Sequence, residues 1–220
     1  MSMTGEEFTA ALGDDISRAI TRLGQLSAAG AVPDDLDVSR LLLVALKNEL
    51  EAAEIAALWM ATTPELEVKL ALARQAGDEA RHYRLILDRL RELGVEVEEI
   101  DPSKDPYSPM FHHLRQLQGT AARVAAGQFA REGIALVRNQ CFIEFCEMRG
   151  DARTAALYRD QIQPDEQHHH ELGRRLLARF AGGAEEQRSA RAAAERTLEL
   201  AEEIQEMARL RAGICRAPGC

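Results

Sequence analysis

The stretch Asp165-Glu166-Gln167-His168-His169 and an earlier counterpart, Asp78-Glu79-Ala80-Arg81-His82, decide how the chain folds. Both contain the pattern Asp-Glu-x-x-His. Residues at positions i and i+3 of a helix lie on one face, so each helix presents a carboxylate and an imidazole together. Two such helices could hold a pair of metal ions between them.

The composition is typical of a globular helical protein. The chain has 220 residues, enough for one domain with a buried core, and 46% of them are hydrophobic. Prolines number only 7, while Ala, Leu, Glu and Arg abound, which favours helix. We therefore expect an all-α fold in a single domain over residues 1–220.

Charge and segment lengths exclude several classes of protein. The net charge of −9 argues against binding nucleic acid or an acidic membrane, because phosphate recognition depends on clustered Lys and Arg. No apolar run approaches the roughly 20 residues of a membrane span. The acidic stretch Met1–Glu7 lacks the apolar core of a secretion signal, and four cysteines do not make a disulfide framework. We expect a cytoplasmic protein.

Apolar spacing divides the chain into helices around one long connection. Residues 95–108 fit no regular element and are typical of the crossover in a four-helix bundle. A bundle core is expected over about 37–180, with a break near Gly119 or Gly127. The predicted helices are 6–29, 37–61, 64–94, 109–149, 152–180 and 185–212, followed by a loose tail at 213–220.

Pro164 lies inside the predicted helix at 152–180, directly before Asp165. A proline in a helix interior costs ~3 kcal/mol and bends the chain. We expect either a kink that sets the angle of the following side chains or a bend that the helix simply tolerates.

A dinuclear site in a bundle needs one further Glu from each of the two remaining helices. Glu79 lies about 15 residues, or roughly 22 Å, beyond the start of its predicted helix. Counting back about the same distance from the end of the helix at 37–61 reaches residues 46–49, and Glu49 is the carboxylate in that range. Depth matching therefore predicts that Glu49 faces Glu79.

The same count in the second hairpin, for Glu166, reaches about residue 135, and Glu132 is the closest carboxylate. Glu144 and Glu147 are the alternatives, but both lie nearer the hairpin turn. We expect Glu132 to face Glu166. Gln128 is a polar residue on the same helix face as Glu132.

Asp78 and Asp165 each precede a proposed glutamate ligand. A ligating imidazole usually donates its second N–H to a carboxylate, which sets its tautomer and orientation. We predict that each aspartate does this for the histidine of the opposite helix.

Together these residues resemble the ferritin-like diiron-carboxylate superfamily, and the segment 75–82 is similar to that of diiron monooxygenases and hydroxylases. The resemblance covers about 37–180. It implies a four-helix bundle and two iron ions, with Mn–Fe or Mn₂ as alternatives, and chemistry with dioxygen or peroxide. The implied metal ligands are Glu49, Glu79, His82, Glu132, Glu166 and His169, with Asp78 and Asp165 behind them.

The chain resembles the compact single-domain oxygenases of that superfamily. The two Cys pairs of a rubredoxin module are missing, since only Cys215 and Cys220 lie in the tail. We expect an enzyme that activates dioxygen to oxidise or hydroxylate a small apolar substrate, with electrons from a donor protein. The alternatives are an iron-oxidising or iron-handling protein, a rubrerythrin-like peroxide reductase, and a non-catalytic subunit. The flanking helices could cover the bundle or a second copy of the chain.

Several other residues could carry chemistry but have simpler roles. His168 and His170 flank His169 and cannot share its face, so we expect them outside the ligand set. Cys141 and Cys146 are expected to be buried thiols. Tyr158 is expected to pack in the core.

Overall fold

The computed structural model describes residues 3–29, 36–97, 106–214 and 216–219, and these residues are all-helical. Two π-helical segments, Val124–Arg131 and Tyr158–Ile162, continue directly into the α-helices on either side. The α-helices are α1 (Gly5–Ala29), α2 (Val38–Thr62), α3 (Leu66–Glu92), α4 (Pro109–Gln116), α5 (Thr120–Arg123), α6 (Glu132–Met148), α7 (Ala152–Leu157), α8 (Gln163–Phe180) and α9 (Ala184–Ala212).

The helix predicted for 109–149 breaks at Gly119, one of the two glycines that the sequence indicates. Gly119 has a φ of 80°, in the left-handed region that favours glycine. Gly127 does not break the helix. It lies in the first π-helical segment, where a Cβ atom would come within 2.6 Å of the Trp59 ring. Most of the predicted crossover, residues 98–105, lies outside the described part of the chain.

The π-helical segments widen the helix immediately before functional side chains. The backbone N–H of Glu132 donates to the carbonyl of Gly127, and that of Gln163 donates to the carbonyl of Tyr158, five residues back in each case. Pro164, which has no N–H, follows the second segment and stands in the first turn of α8. The proline thus falls where the hydrogen-bond pattern already changes, so its missing donor disrupts the helix less than in a regular interior.

Two apolar clusters fill the core, and α2, α3 and the helical segments 120–148 and 152–180 contribute residues to both, whereas α1 and α9 contribute to the first cluster. On α3, Leu72 belongs to the first cluster and Ile86 to the second, with Glu79 between them. On α2, Leu46 and Ile55 bracket Glu49 in the same way. α2 packs along α3, the segment Val124–Arg131 packs against α8 and α9, and α1 covers α6 and α8. A polar layer is therefore enclosed between two apolar ones.

The tail is packed, which differs from the loose tail that the sequence predicts. Pro218 and Gly219 are buried. The N–H of Gly219 donates to Oδ1 of Asn139 at 2.8 Å, and Nδ2 of Asn48 donates to the carbonyl of Pro218 at 3.3 Å. These hydrogen bonds supply the anchoring that apolar periodicity does not indicate. Cys215 and Cys220 lie outside the described residues.

Two further sequence expectations can be compared with the structure. Cys146 is buried and Cys141 half-buried, and both are free thiols. Burial raises the pKa of Cys146 to about 12. In the described ranges, no helix combines the length and apolar character needed to cross a lipid bilayer.

Candidate metal centre

Six buried side chains converge between the two apolar clusters, and none is more than 3% exposed. They form two groups, and within each group one potential ligand atom per residue lies within 4.8 Å of all the others. The first group is Glu49, Glu79, His82 and Glu166, and the second is Glu79, Glu132, Glu166 and His169. Glu79 and Glu166 belong to both groups, so their carboxylates stand between two potential cation positions.

The two histidines aim the same ring atom at the carboxylates. Nδ1 of His82 lies 3.2 Å from Oε2 of Glu79, 3.5 Å from Oε2 of Glu49 and 3.7 Å from Oε1 of Glu166. Nδ1 of His169 lies 3.7 Å from Oε1 of Glu79 and 3.9 Å from Oε2 of Glu166. The i, i+3 spacing on α3 and α8 produces this convergence, because it puts each histidine on the face of its glutamate.

The aspartates hold the other ring nitrogens, and the pairing crosses between helices. Nε2 of His82 lies 3.2 Å from Oδ2 of Asp165, and Nε2 of His169 lies 3.1 Å from Oδ2 of Asp78. A donor hydrogen on Nε2 leaves the lone pair of Nδ1 directed at the carboxylate cluster. Each aspartate thus contacts the histidine for which the sequence predicts it.

Two arginines of α3 stand behind the aspartates. Arg81 donates to Oδ2 of Asp165, and Nε of Arg74 donates to Oδ2 of Asp78 at 3.3 Å. The pKa of Asp78 is lowered, chiefly by its hydrogen bond with His169 and despite partial burial. An ionised aspartate is the stronger acceptor for the imidazole N–H.

Burial makes the carboxylates costly to ionise without a counter-charge. Burial is the main cause that raises the pKa of Glu49 to about 7 and that of Glu166 well above its usual range. Oε2 of Glu166 and Nδ1 of His169 are buried and have no hydrogen-bond partner among the described residues. Four carboxylates, two imidazoles and unsatisfied atoms directed into the cluster fit a pair of divalent cations.

Without a cation, Nδ1 of His82 carries a second proton, which provides part of the missing positive charge. Burial opposes the charged imidazole, but hydrogen bonds with Glu49 and Glu79 raise the pKa of His82 to about 11. Burial also disfavours ionised Glu79, yet its hydrogen bond with His82 and the charge of His169 lower its pKa to about 2. A metal ion that binds Nδ1 would have to displace this proton.

Two residues that contact the cluster, Gln75 and Arg131, are additional to the predicted set. Nε2 of Gln75 donates to Oε1 of Glu132 at 2.5 Å and to Oε1 of Glu79 at 3.4 Å. Nη1 of Arg131 lies 3.5 Å from Oε1 of Glu132. The position of Gln75, four residues before Glu79 on α3, is a sequence signal that could have identified it.

Gln128, on the face of Glu132, is buried, and both its amide atoms lack a partner within the described ranges.

Other carboxylates on α2 and α6 lie outside the cluster. Glu144 and Glu147 are exposed on α6 and belong to neither group. Glu51 is buried but accepts hydrogen bonds from the N–H and hydroxyl of Ser108, so it holds the start of α4. Glu132 is therefore the carboxylate that the segment 120–148 contributes to the cluster.

The neighbouring histidines also lie outside both groups. Nη1 of Arg74 and Nε2 of His168 are 2.9 Å apart. Nδ1 of His170 donates to the carbonyl of Phe129 at 2.8 Å, and burial lowers the pKa of His170. Each ring thus has a structural partner.

Comparison of the chain with models of protein families, with curated proteins and with solved structures found no match. The class that the fold and the site define is an all-helical protein with a buried carboxylate–histidine cluster at metal-binding distances.

Proposed function

We propose that the chain is a ferritin-like diiron-carboxylate oxidoreductase. The observation that carries this proposal is the membership of Glu79 and Glu166 in both groups of potential ligands. Their carboxylates could bridge two cations. Glu49 and His82 would complete one position, and Glu132 and His169 the other.

The donor set suits iron. Carboxylate and imidazole are ligands of Fe(II) and Mn(II), and six side chains shared between two ions leave coordination positions open. The charge of two divalent cations balances that of the four carboxylates. Bound iron would supply redox chemistry with dioxygen, for which the side chains alone have no equivalent. The same ligand set could bind a Mn–Fe or Mn₂ pair.

The protein contributes orientation and the exclusion of water. Asp165 holds the Nε2 hydrogen of His82, and Asp78 that of His169, so both Nδ1 atoms keep their direction. The apolar clusters on either side keep bulk water away from the carboxylates. We propose a small apolar organic substrate and an external donor protein as the source of electrons.

One observation favours the alternative, an iron-oxidising or peroxide-reducing protein without an organic substrate. Asn48, the neighbour of Glu49 in the sequence, and Pro218 line a cavity with a volume of about 90 Å³. Sites for larger organic ligands usually have roughly 300–1,000 Å³. An organic substrate in this position would have to be small.

Metal titration tests the proposal. Metal-free protein is titrated with Fe(II) under anaerobic conditions and then exposed to oxygen, with Glu144→Gln as the control for Glu132→Gln. We expect two irons per chain and a change in visible absorption on oxygen exposure. Protein that takes up no metal would overturn the proposal and indicate a structural subunit.

Oxygen consumption separates the two candidate functions. Consumption that exceeds the iron present, and that requires both reductant and an organic substrate, indicates the oxygenase. Consumption that stops once the added Fe(II) is oxidised indicates iron handling, and many irons per chain would indicate storage.

A further inference from the structure

A second cleft, remote from the metal centre, lies where α2 ends. Thr62, the last residue of α2, is about 20 Å along the helix axis from Glu49. The cleft has a volume of about 560 Å³ and is also lined by the region where α3, α5 and α9 begin. This volume is typical of small-molecule sites, which have roughly 300–1,000 Å³.

The cleft contains a buried cation that no carboxylate neutralises. Arg123 lines it and is only 7% exposed. Its hydrogen bonds go to neutral oxygens: Nε donates to the carbonyl of Leu117 at 3.1 Å, and Nη1 donates to the hydroxyls of Thr62 at 2.9 Å and Thr63 at 3.2 Å. Among the described residues, none forms an ion pair with Arg123. A buried charge without a counter-charge is costly, and a bound anion would remove that cost.

Two acidic residues line the same cleft, but neither forms an ion pair with Arg123. Glu65 accepts a hydrogen bond from the hydroxyl of Thr120 at 2.5 Å. Glu186 is exposed and lies against Gly183 at the start of α9. Burial lowers the pKa of Arg123.

Part of the lining of the cleft is apolar. Leu58, Trp59 and Phe180 line the cleft, and the indole N–H of Trp59 is buried without a partner in the described part of the chain. Aromatic and aliphatic walls with a few convergent polar groups are typical of sites for organic ligands.

We propose that this cleft binds an organic carboxylate, whose charged group pairs with the guanidinium of Arg123 while its apolar body lies against Leu58 and Trp59. Nε and Nη1 of Arg123 already donate all their hydrogens within the protein, whereas Nη2 has no hydrogen-bond partner among the described residues. Both hydrogens of Nη2 can therefore be donated to a bound carboxylate in a charge-assisted contact. The site is separate from the metal centre, so the inference holds whether or not the proposed function is correct.

Calorimetric titration with benzoate tests this assignment, with neutral benzamide and inorganic phosphate as comparison probes. We expect benzoate to bind at least about tenfold more tightly than either, because only benzoate has both the charge and the apolar body. No benzoate binding at millimolar concentration, or equal binding of benzamide or phosphate, would overturn the proposal.

Four variants locate the site. Arg123→Gln should weaken benzoate binding at least about tenfold. Leu58→Asp should weaken it comparably by adding a negative charge at a side chain that is 47% exposed, where folding is little affected. The matched control is Leu70→Asp, at an exposed position outside the cleft lining, and it should bind benzoate normally. Glu132→Gln should also bind normally.

Two outcomes contradict the assignment. Equal benzoate affinity of the Leu58→Asp and Leu70→Asp proteins would show that the cleft is not the site. Loss of binding in Glu132→Gln with retention in Arg123→Gln would place the carboxylate at the metal centre.

Discussion

Nε2 of His82, on α3, lies 3.2 Å from Oδ2 of Asp165, on α8, and a reciprocal contact of 3.1 Å joins His169 to Asp78. The two contacts tie α3 and α8 together at the depth of the carboxylate cluster. Each potential cation position therefore depends on both helices, since the group that orients its histidine comes from the opposite helix.

Asp165→Asn should lower the affinity for Fe(II) by about 10- to 100-fold, because the uncharged amide orients His82 less firmly. The affinity is measured by competition with a chelator under anaerobic conditions. Asp160→Asn is the control, since Asp160 is exposed on the preceding π-helical segment. Equal affinities in the two variants would count against an orienting role for Asp165.

Substitutions of shared and unshared carboxylates should have different effects on metal stoichiometry. Glu166→Gln removes a member of both groups, so we expect it to abolish uptake at both positions. Glu49→Gln removes a member of one group, so we expect one iron per chain to remain. Metal analysis after anaerobic loading measures both. The same residual stoichiometry in both variants would mean that Glu166 does not bridge.

The metal-free protein should lose stability as pH rises from about 5 to 9. Glu49 has its pKa raised from 4.5 to about 7, so its contribution is present below pH 4.5 and is lost as pH rises to about 7. His82 has its pKa raised from 6.5 to about 11, so its contribution is complete below pH 6.5 and is lost through pH 11. Urea unfolding at pH 5, 7 and 9 in the presence of a chelator measures the free energy of unfolding. Its decrease between pH 5 and pH 7 should be smaller in Glu49→Gln than in the unsubstituted protein.

Gly173→Ala should destabilise the protein by about 1–3 kcal/mol through overpacking. A Cβ atom at Gly173 would lie 2.6 Å from the backbone carbonyl carbon of Gln128, so α8 would be pushed away from the segment that precedes Glu132. Urea unfolding measures the loss, and Fe(II) affinity should fall with it.

The matched control for this substitution is Gly77→Ala on α3, where a Cβ atom meets nothing within 4 Å. It should stabilise the protein by roughly 0.5–1 kcal/mol, because alanine is the better helix former. Destabilisation by both substitutions to the same extent would refute the packing argument.

Short-range periodicity and helix length were enough to predict the side chains that converge. The i, i+3 spacing in Glu79 and His82 is a property of any helix, and depth matching across a hairpin located Glu49 and Glu132. The cross-pairing of Asp78 and Asp165 follows from the same geometry, because the residue before each glutamate faces the neighbouring helix.

Features that depend on distant parts of the chain were not predictable in this way. The π-helical segments before Glu132 and Pro164 have no periodic signature of their own, since each is a short change from four-residue to five-residue hydrogen bonding within a helix. The burial of Pro218 and Gly219 depends on Asn139 and Asn48, which are far away in sequence. The contact of Gln75 with Glu132 likewise joins two separate helices.

The enclosure of the polar layer between two apolar clusters has a kinetic consequence. An ion bound at this depth could exchange with the medium only when the surrounding helices separate briefly, so its residence time would depend on how often the helices open. Its release should therefore accelerate under mild denaturing conditions, well before the whole chain unfolds.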